Sequence, residues 1–221
     1  MVTVALDSGG ADAVQPWTEK ANQTHPSVID AGHVTDELFG FTNVPMAVWI
    51  DESGLLVRPA HTAQHHPSPM RAMEIPEGLP ERLEDTLRQV QQIPDVGDRY
   101  PDMVRDWVAR GEASEFAFDP DEVVARSTTR DSSQAEAAAC FELGQHLWSL
   151  GEQDDAAGWW RRAHELDPEN WTYKRQAWTL ATTKPGEPSD LLQGPTDLYE
   201  GNWLDDIKAL GPDRYYPAQP D

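Results

Sequence analysis

The sequence predicts an α/β first part followed by an all-α helical region. Three observations carry that expectation. Up to about residue 60, short β-branched runs alternate with turn residues and helical spacing; from about 131 to 182, capped apolar stretches recur at helical period; and from 183 onward prolines interrupt any period. The expected divisions are therefore 1–60, a loop with linking helices at 61–130, a helical module at 131–182 and a Pro-rich tail at 183–221.

Val2 to Leu6 is a β-branched run ended by Asp7-Ser8-Gly9-Gly10, and Ala13 to Ala21 follows with helical spacing. Ser27 to Ile29 reads as a short strand, and His33 to Phe39 as a short helix stopped by Gly40. After Pro45, Met46 to Ile50 and Leu55 to Arg58 flank Asp51-Glu52-Ser53-Gly54, which is the turn chemistry of a hairpin.

His61 to Gly78 shows no period and contains Pro67, Pro69 and Pro76, so it reads as a long loop. Leu79, Leu83, Leu87 and Val90 mark an amphipathic helix, and Met103, Val104, Trp107 and Val108 mark a second that ends at Gly111. Asp119, Pro120 and Glu122 look like a cap, a first-turn proline and a capping-box acid. Ser133 with Glu136 reads as a further box, and Asp154 or Asp155 as the cap of the next helix. A third helical stretch runs from Trp171 to Leu180, and the tail has six prolines in 39 residues with one short helix at Trp203 to Leu210.

Seventeen Lys and Arg stand against 39 Asp and Glu, a formal charge of −22. Such a field repels phosphate backbones and anionic lipid heads, so the expected partner is a protein or peptide, not nucleic acid or a membrane. No window approaches the ~20 apolar residues of a membrane span, and no basic-then-apolar leader opens the chain; the expected location is the cytoplasm. Cys140 is the single cysteine, which excludes an internal disulfide, a CxxC pair and a peroxidatic–resolving pair.

The run Val2-Thr-Val-Ala-Leu-Asp7, then a helix, then Phe41-Thr-Asn-Val-Pro45-Met-Ala-Val-Trp-Ile-Asp-Glu-Ser-Gly-Leu-Leu-Val57 resembles the later part of a thioredoxin-like domain. The nearest branch is that of the redoxins related to ResA, TlpA and the thiol-specific antioxidants, and the likeness covers about residues 1 to 60. It implies that Pro45 is the cis-proline before a central strand, a conformation that costs an X-Pro bond only about 0.5–1 kcal/mol. It also implies that Val44 and Pro45 contact an extended substrate peptide. The family's thiol motif and one central strand belong upstream of the part matched here. The resemblance thus implies a natural protein that begins before Met1, with a CxxC or selenocysteine variant there, and two unpaired strand edges without it.

Leu143-Gly144, Leu147, Ala156, Trp160, Ala163 and Pro168 fall at the packing positions of a tetratricopeptide repeat, and the likeness covers about Ala137 to Asn170. Solenoids need about three repeats, so the third helix and tail are expected to cap this one.

Cys140 could be a reactive thiol, but its place beside Leu143, Gly144 and Leu147 reads as a core position. His61, His65 and His66 could ligate a metal; convergence of ligands at i and i+4 needs a helix, which Pro67 and Pro69 oppose. Trp148, Trp159, Trp160, Trp171 and Trp178 read as core fillers, with a binding groove as the alternative. The function expected is that of a thiol-disulfide oxidoreductase or peroxiredoxin-like protein without its catalytic cysteines, or else a non-catalytic interaction protein acting through the helices. No cofactor is expected.

Overall fold

The computed structural model describes residues 1–95, 97, 99–127, 129–182, 195, 196 and 198–217. In chain order the elements are β1 (Thr3–Leu6), α1 (Gly10–Ala21), β2 (Ser27–Asp30), α2 (Val34–Phe39), β3 (Met46–Ile50), β4 (Leu56–Thr62), α3 (Glu81–Gln92), α4 (Tyr100–Arg110), α5 (Pro120–Arg126), α6 (Ser132–Ser149), α7 (Gln153–Leu166), α8 (Trp171–Thr182) and α9 (Trp203–Leu210). A small α/β part is thus followed by a helical region. Part of the expected tail, residues 183–194, 197 and 218–221, lies outside the described residues; the expected helix there is α9.

The chain packs as two compact units, each built from two stretches of sequence. The first comprises Met1–Gly40 with Arg130–Trp203, and the second Phe41–Thr129 with Leu204–Asp221. The division falls within the stretch 1–60.

In the first unit β1 and β2 pair in parallel, from Thr3 opposite Ser27 to Leu6 opposite Asp30, with α1 as the crossover. Among the described residues this sheet has two strands only. Val4, Val28 and Ile29 accordingly remain exposed. The unit's apolar centre lies instead where Ala137, Ala138, Cys140 and Phe141 of α6 meet Ala156, Trp160 and Ala163 of α7 and Tyr173 and Ala177 of α8. Small residues let α6 and α7 approach closely, and Trp160 fills the seam. Leu147 packs at the margin of this cluster, but Leu143 is 37% exposed and does not belong to it.

Two expected caps are displaced. α6 opens with a box made by Asp131 and Gln134, each bonding the other's backbone N–H, while Glu136 reaches Arg162 of α7. The aspartate caps because it stands at the N-cap position, where its carboxylate reaches the Gln134 amide, whereas Ser133 already lies inside the first turn. α7 begins after Glu152 with no side-chain cap, and Asp154 and Asp155 fall in its first turn, where they complement the helix dipole.

In the second unit β3 and β4 form an antiparallel hairpin, and Asp51 Oδ1 accepts from Ser53 N–H, Ser53 Oγ–H and Leu55 N–H across the turn. β4 runs past Arg58 to Thr62, further than expected, so His61 is a strand residue and not part of a loop. Trp49 stacks on Trp107 at 4.7 Å, and Met103, Phe118 and Val123 of the same unit are buried as well. On α4 the buried positions are Met103 and, in part, Trp107, whereas Val108 is exposed. Asp119 caps α5 by accepting from Glu122 N–H, and the Glu122 side chain pairs with Arg126 rather than closing a box.

Candidate functional site

The Val44–Pro45 bond is cis and stands at the head of β3. Both residues are exposed. The loop is set by Asn43, a side chain only 1% exposed: its Oδ1 accepts from Val44 N–H at 2.8 Å and its Nδ2 donates to the Tyr215 carbonyl at 2.7 Å. Pro45 O in turn accepts from Ala63 N–H at the end of the hairpin. The Val44 N–H is thus taken up within its own loop, while its side chain stays exposed.

Cys140 belongs to the first unit and Pro45 to the second. Its thiol is buried in the α6 face, and burial, with Glu136 beside it, pushes its pKa up. A thiol so placed is a poor nucleophile.

His61, expected in a solvated loop, is buried, because the longer β4 carries it into an aromatic box. Its ring meets Trp49 edge-on at 5.6 Å and Tyr100 at 5.5 Å. Nδ1–H donates to the Pro59 carbonyl, and burial lowers the pKa to about 4, so the ring is neutral. His65 and His66 lie against each other, and His66 Nδ1 bonds Pro67 O. Among the described residues no three His, Cys, Asp or Glu are arranged to hold a metal ion. Of the tryptophans, Trp160, Trp171 and Trp178 are buried, Trp148 is half-buried against Trp160, and Trp159 is 41% exposed, so the set does not line one groove.

The sequence reading missed a polar cluster in the first unit. His33, buried and in the left-handed region at φ 56°, places Nδ1 2.9 Å from Asp36 Oδ2 and Nε2 3.3 Å from Gln176 Oε1. The same Gln176 oxygen accepts from Ser8 N–H at 3.1 Å, and Ser8 Oγ bonds Gln145 Nε2. Phe141 meets the His33 ring edge-on at 5.0 Å. Burial raises the Asp36 pKa against the opposing pull of His33, while Thr35 hydrogen bonds hold Asp30 low despite its partial burial. Both imidazole nitrogens are engaged, and Gln176 rather than a nucleophile faces Nε2. The cluster therefore fastens the strand–helix segment to α6 and α8. A non-glycine residue in the left-handed region costs on the order of 1 kcal/mol, which these contacts offset. The signal available in sequence was the His33-x-x-Asp36 spacing; its partners lie far along the chain.

No helix among the described residues is long and apolar enough to cross a membrane. No family model, curated protein or solved structure matches this chain.

Proposed function

We propose that this chain is a thioredoxin-like redoxin, of thiol-disulfide oxidoreductase or peroxiredoxin-like type, that contacts a protein substrate in the cytoplasm but performs no thiol chemistry in this form. The observation that carries the reading is the Asn43–Val44–Pro45 loop: an exposed valine before a proline at the head of a hairpin strand, held by a buried asparagine. The absence of a second cysteine and the buried state of Cys140 limit it to contact without turnover. Titrating the full chain with an extended, cysteine-bearing peptide should perturb the NMR signals of Val44 and its neighbours, and Val44→Arg should remove the effect. Perturbations confined to other residues would defeat this reading, as would disulfide reduction or peroxide consumption that depends on Cys140.

A second reading, a non-catalytic interaction protein acting through its helical part, is favoured by one specific feature. On α7 the indole of Trp159 stays 41% exposed while its neighbour Trp160 is fully buried. Trp159→Ala should leave stability nearly unchanged and weaken partner binding; equal binding would remove the support.

A further inference from the structure

His33 sits between two acceptors. Its Nδ1 is 2.9 Å from Asp36 Oδ2, and its Nε2 is 3.3 Å from Gln176 Oε1. Ser8 fixes the orientation of that amide, because its N–H donates to the same Gln176 oxygen at 3.1 Å. Exchanging the amide's oxygen and nitrogen would set an NH2 group against the Ser8 N–H, donor facing donor. An acceptor therefore faces Nε2, which must carry hydrogen to bond it. On the other side of the ring, Asp36 Oδ1 already accepts from the Glu37 N–H at 2.9 Å, and Oδ2 faces Nδ1. That contact needs a proton of its own, so the His33–Asp36 pair holds two.

Charge favours the same count. The side chains of His33 and Asp36 are 3% and 0% exposed. With two protons the pair is neutral as a whole, whether written as imidazolium with carboxylate or as imidazole with acid. With one proton it buries an uncompensated negative charge. Burial pushes the Asp36 carboxyl up, the direction that keeps a proton between the two groups. Asp30 at the end of β2 and Glu37, next along α2, add negative charge nearby, and the cation Arg130 is engaged by Glu37. From α8, Tyr173 contributes a phenol that burial holds protonated; from α6, Phe141 and Gln145 are neutral.

We propose that Ser8, His33, Asp36 and Gln176 form a proton-operated latch: with two protons on the His33–Asp36 pair it holds the turn before α1 and the start of α2 to α8, and loss of one proton as pH rises opens it. Without the Nε2 hydrogen, lone pairs face each other across 3.3 Å, and Gln176 cannot turn its nitrogen to His33 without giving up the Ser8 N–H. The segment then parts from α8. The closed form binds more protons than the open one, so rising pH favours opening, the opposite sign to a histidine buried neutral such as His61. The latch makes no use of the Val44 loop, and either can fail without the other.

The test is NMR on the full chain. At about pH 7.5, where an ordinary imidazole is mostly neutral, His33 Nε2 should bear hydrogen, and either Nδ1 should bear one too or Asp36 should show the carboxyl carbon shift of an acid. A bare Nε2, or a bare Nδ1 beside an ionised Asp36, overturns the proposal. On raising the pH the Ser8 amide signal should move with the same midpoint as the ring. A Ser8 signal that stays put while the ring titrates overturns the latch, as does a ring that gives up its proton only when the whole chain unfolds. In Gln176→Glu a carboxylate faces Nε2, so the midpoint should rise by at least about one unit, a tenfold gain in proton affinity. An unchanged midpoint in the folded variant counts against the latch; should the variant fail to fold, the readouts on the unaltered chain decide.

Discussion

Gly144 of α6 lies directly against the indole of Trp160 on α7: a Cβ added there would stand 2.5 Å from Cδ1 and 2.6 Å from Nε1, with the Ala156 carbonyl at 3.2 Å. Trp160 is fully buried and cannot swing aside. In an open helix Gly→Ala gains up to about 1 kcal/mol, but forcing a methyl into a filled seam costs roughly 1–3 kcal/mol. Gly144→Ala is therefore expected to lower stability in urea unfolding, and a stabilised variant would show that the two helices are free to separate.

Asn43 joins two stretches of the second unit that are far apart in sequence, through Val44 N–H and the Tyr215 carbonyl. Asn43→Ala leaves a buried carbonyl without its donor, at a cost of about 1–3 kcal/mol. Amide exchange at Val44 should speed up in the same variant. Unchanged exchange would mean that the loop holds its shape without the asparagine.

His61 sets a pH dependence whose sign follows from its environment. Its pKa is about 4 in the folded chain against an ordinary imidazole value of about 6.5, so the folded state binds fewer protons between those limits. The stability is complete above about pH 6.5 and is lost as pH falls towards 4, by up to about 3 kcal/mol. His164, also lowered by burial, adds in the same direction. Urea titrations between pH 7 and pH 4.5 should show this slope, and His61→Gln should flatten part of it. A slope identical in both proteins would remove His61 as a cause.

The parts of the fold readable in sequence were those fixed by near neighbours. The hairpin after Pro45, the burial of Cys140 and the small-residue seam at Gly144 all follow from spacings of a few residues. The His33 cluster was not readable, because Gln176 lies 143 positions from its imidazole partner and no periodicity marks such a pairing. His61 escaped for a related reason: how far β4 extends is settled by the strand opposite, with Met46 pairing Thr62, and not by the residues of β4 alone.

The start of α6 separates a correct motif from its correct position. Asp131 and Gln134 close the box, and Ser133, which with Glu136 matches the same pattern, lies inside the first turn. Asp131→Ala should cost about 1 kcal/mol, while Ser133→Ala should be within about 0.5 kcal/mol of neutral. Equal losses for both substitutions in thermal unfolding would contradict the observed cap.

Cys140 is the group on which any residual redox activity would depend. Its side chain sits with Ala137 and Phe141 at the centre of the helical cluster, and burial with Glu136 nearby keeps the thiol protonated. Reaction with a disulfide reagent must then wait for local opening of α6, because the thiolate is the attacking species and the native packing gives it no access. Native protein is expected to react at least about 100-fold more slowly than protein in urea, a ratio that reflects an opening free energy of roughly 3 kcal/mol. Cys140→Ser should cost about 1–3 kcal/mol by burying a hydroxyl where the structure provides a small apolar slot, whereas Cys140→Ala should cost less. Fast modification of the native chain together with serine as well tolerated as alanine would place the thiol at the surface and reopen a catalytic role for it.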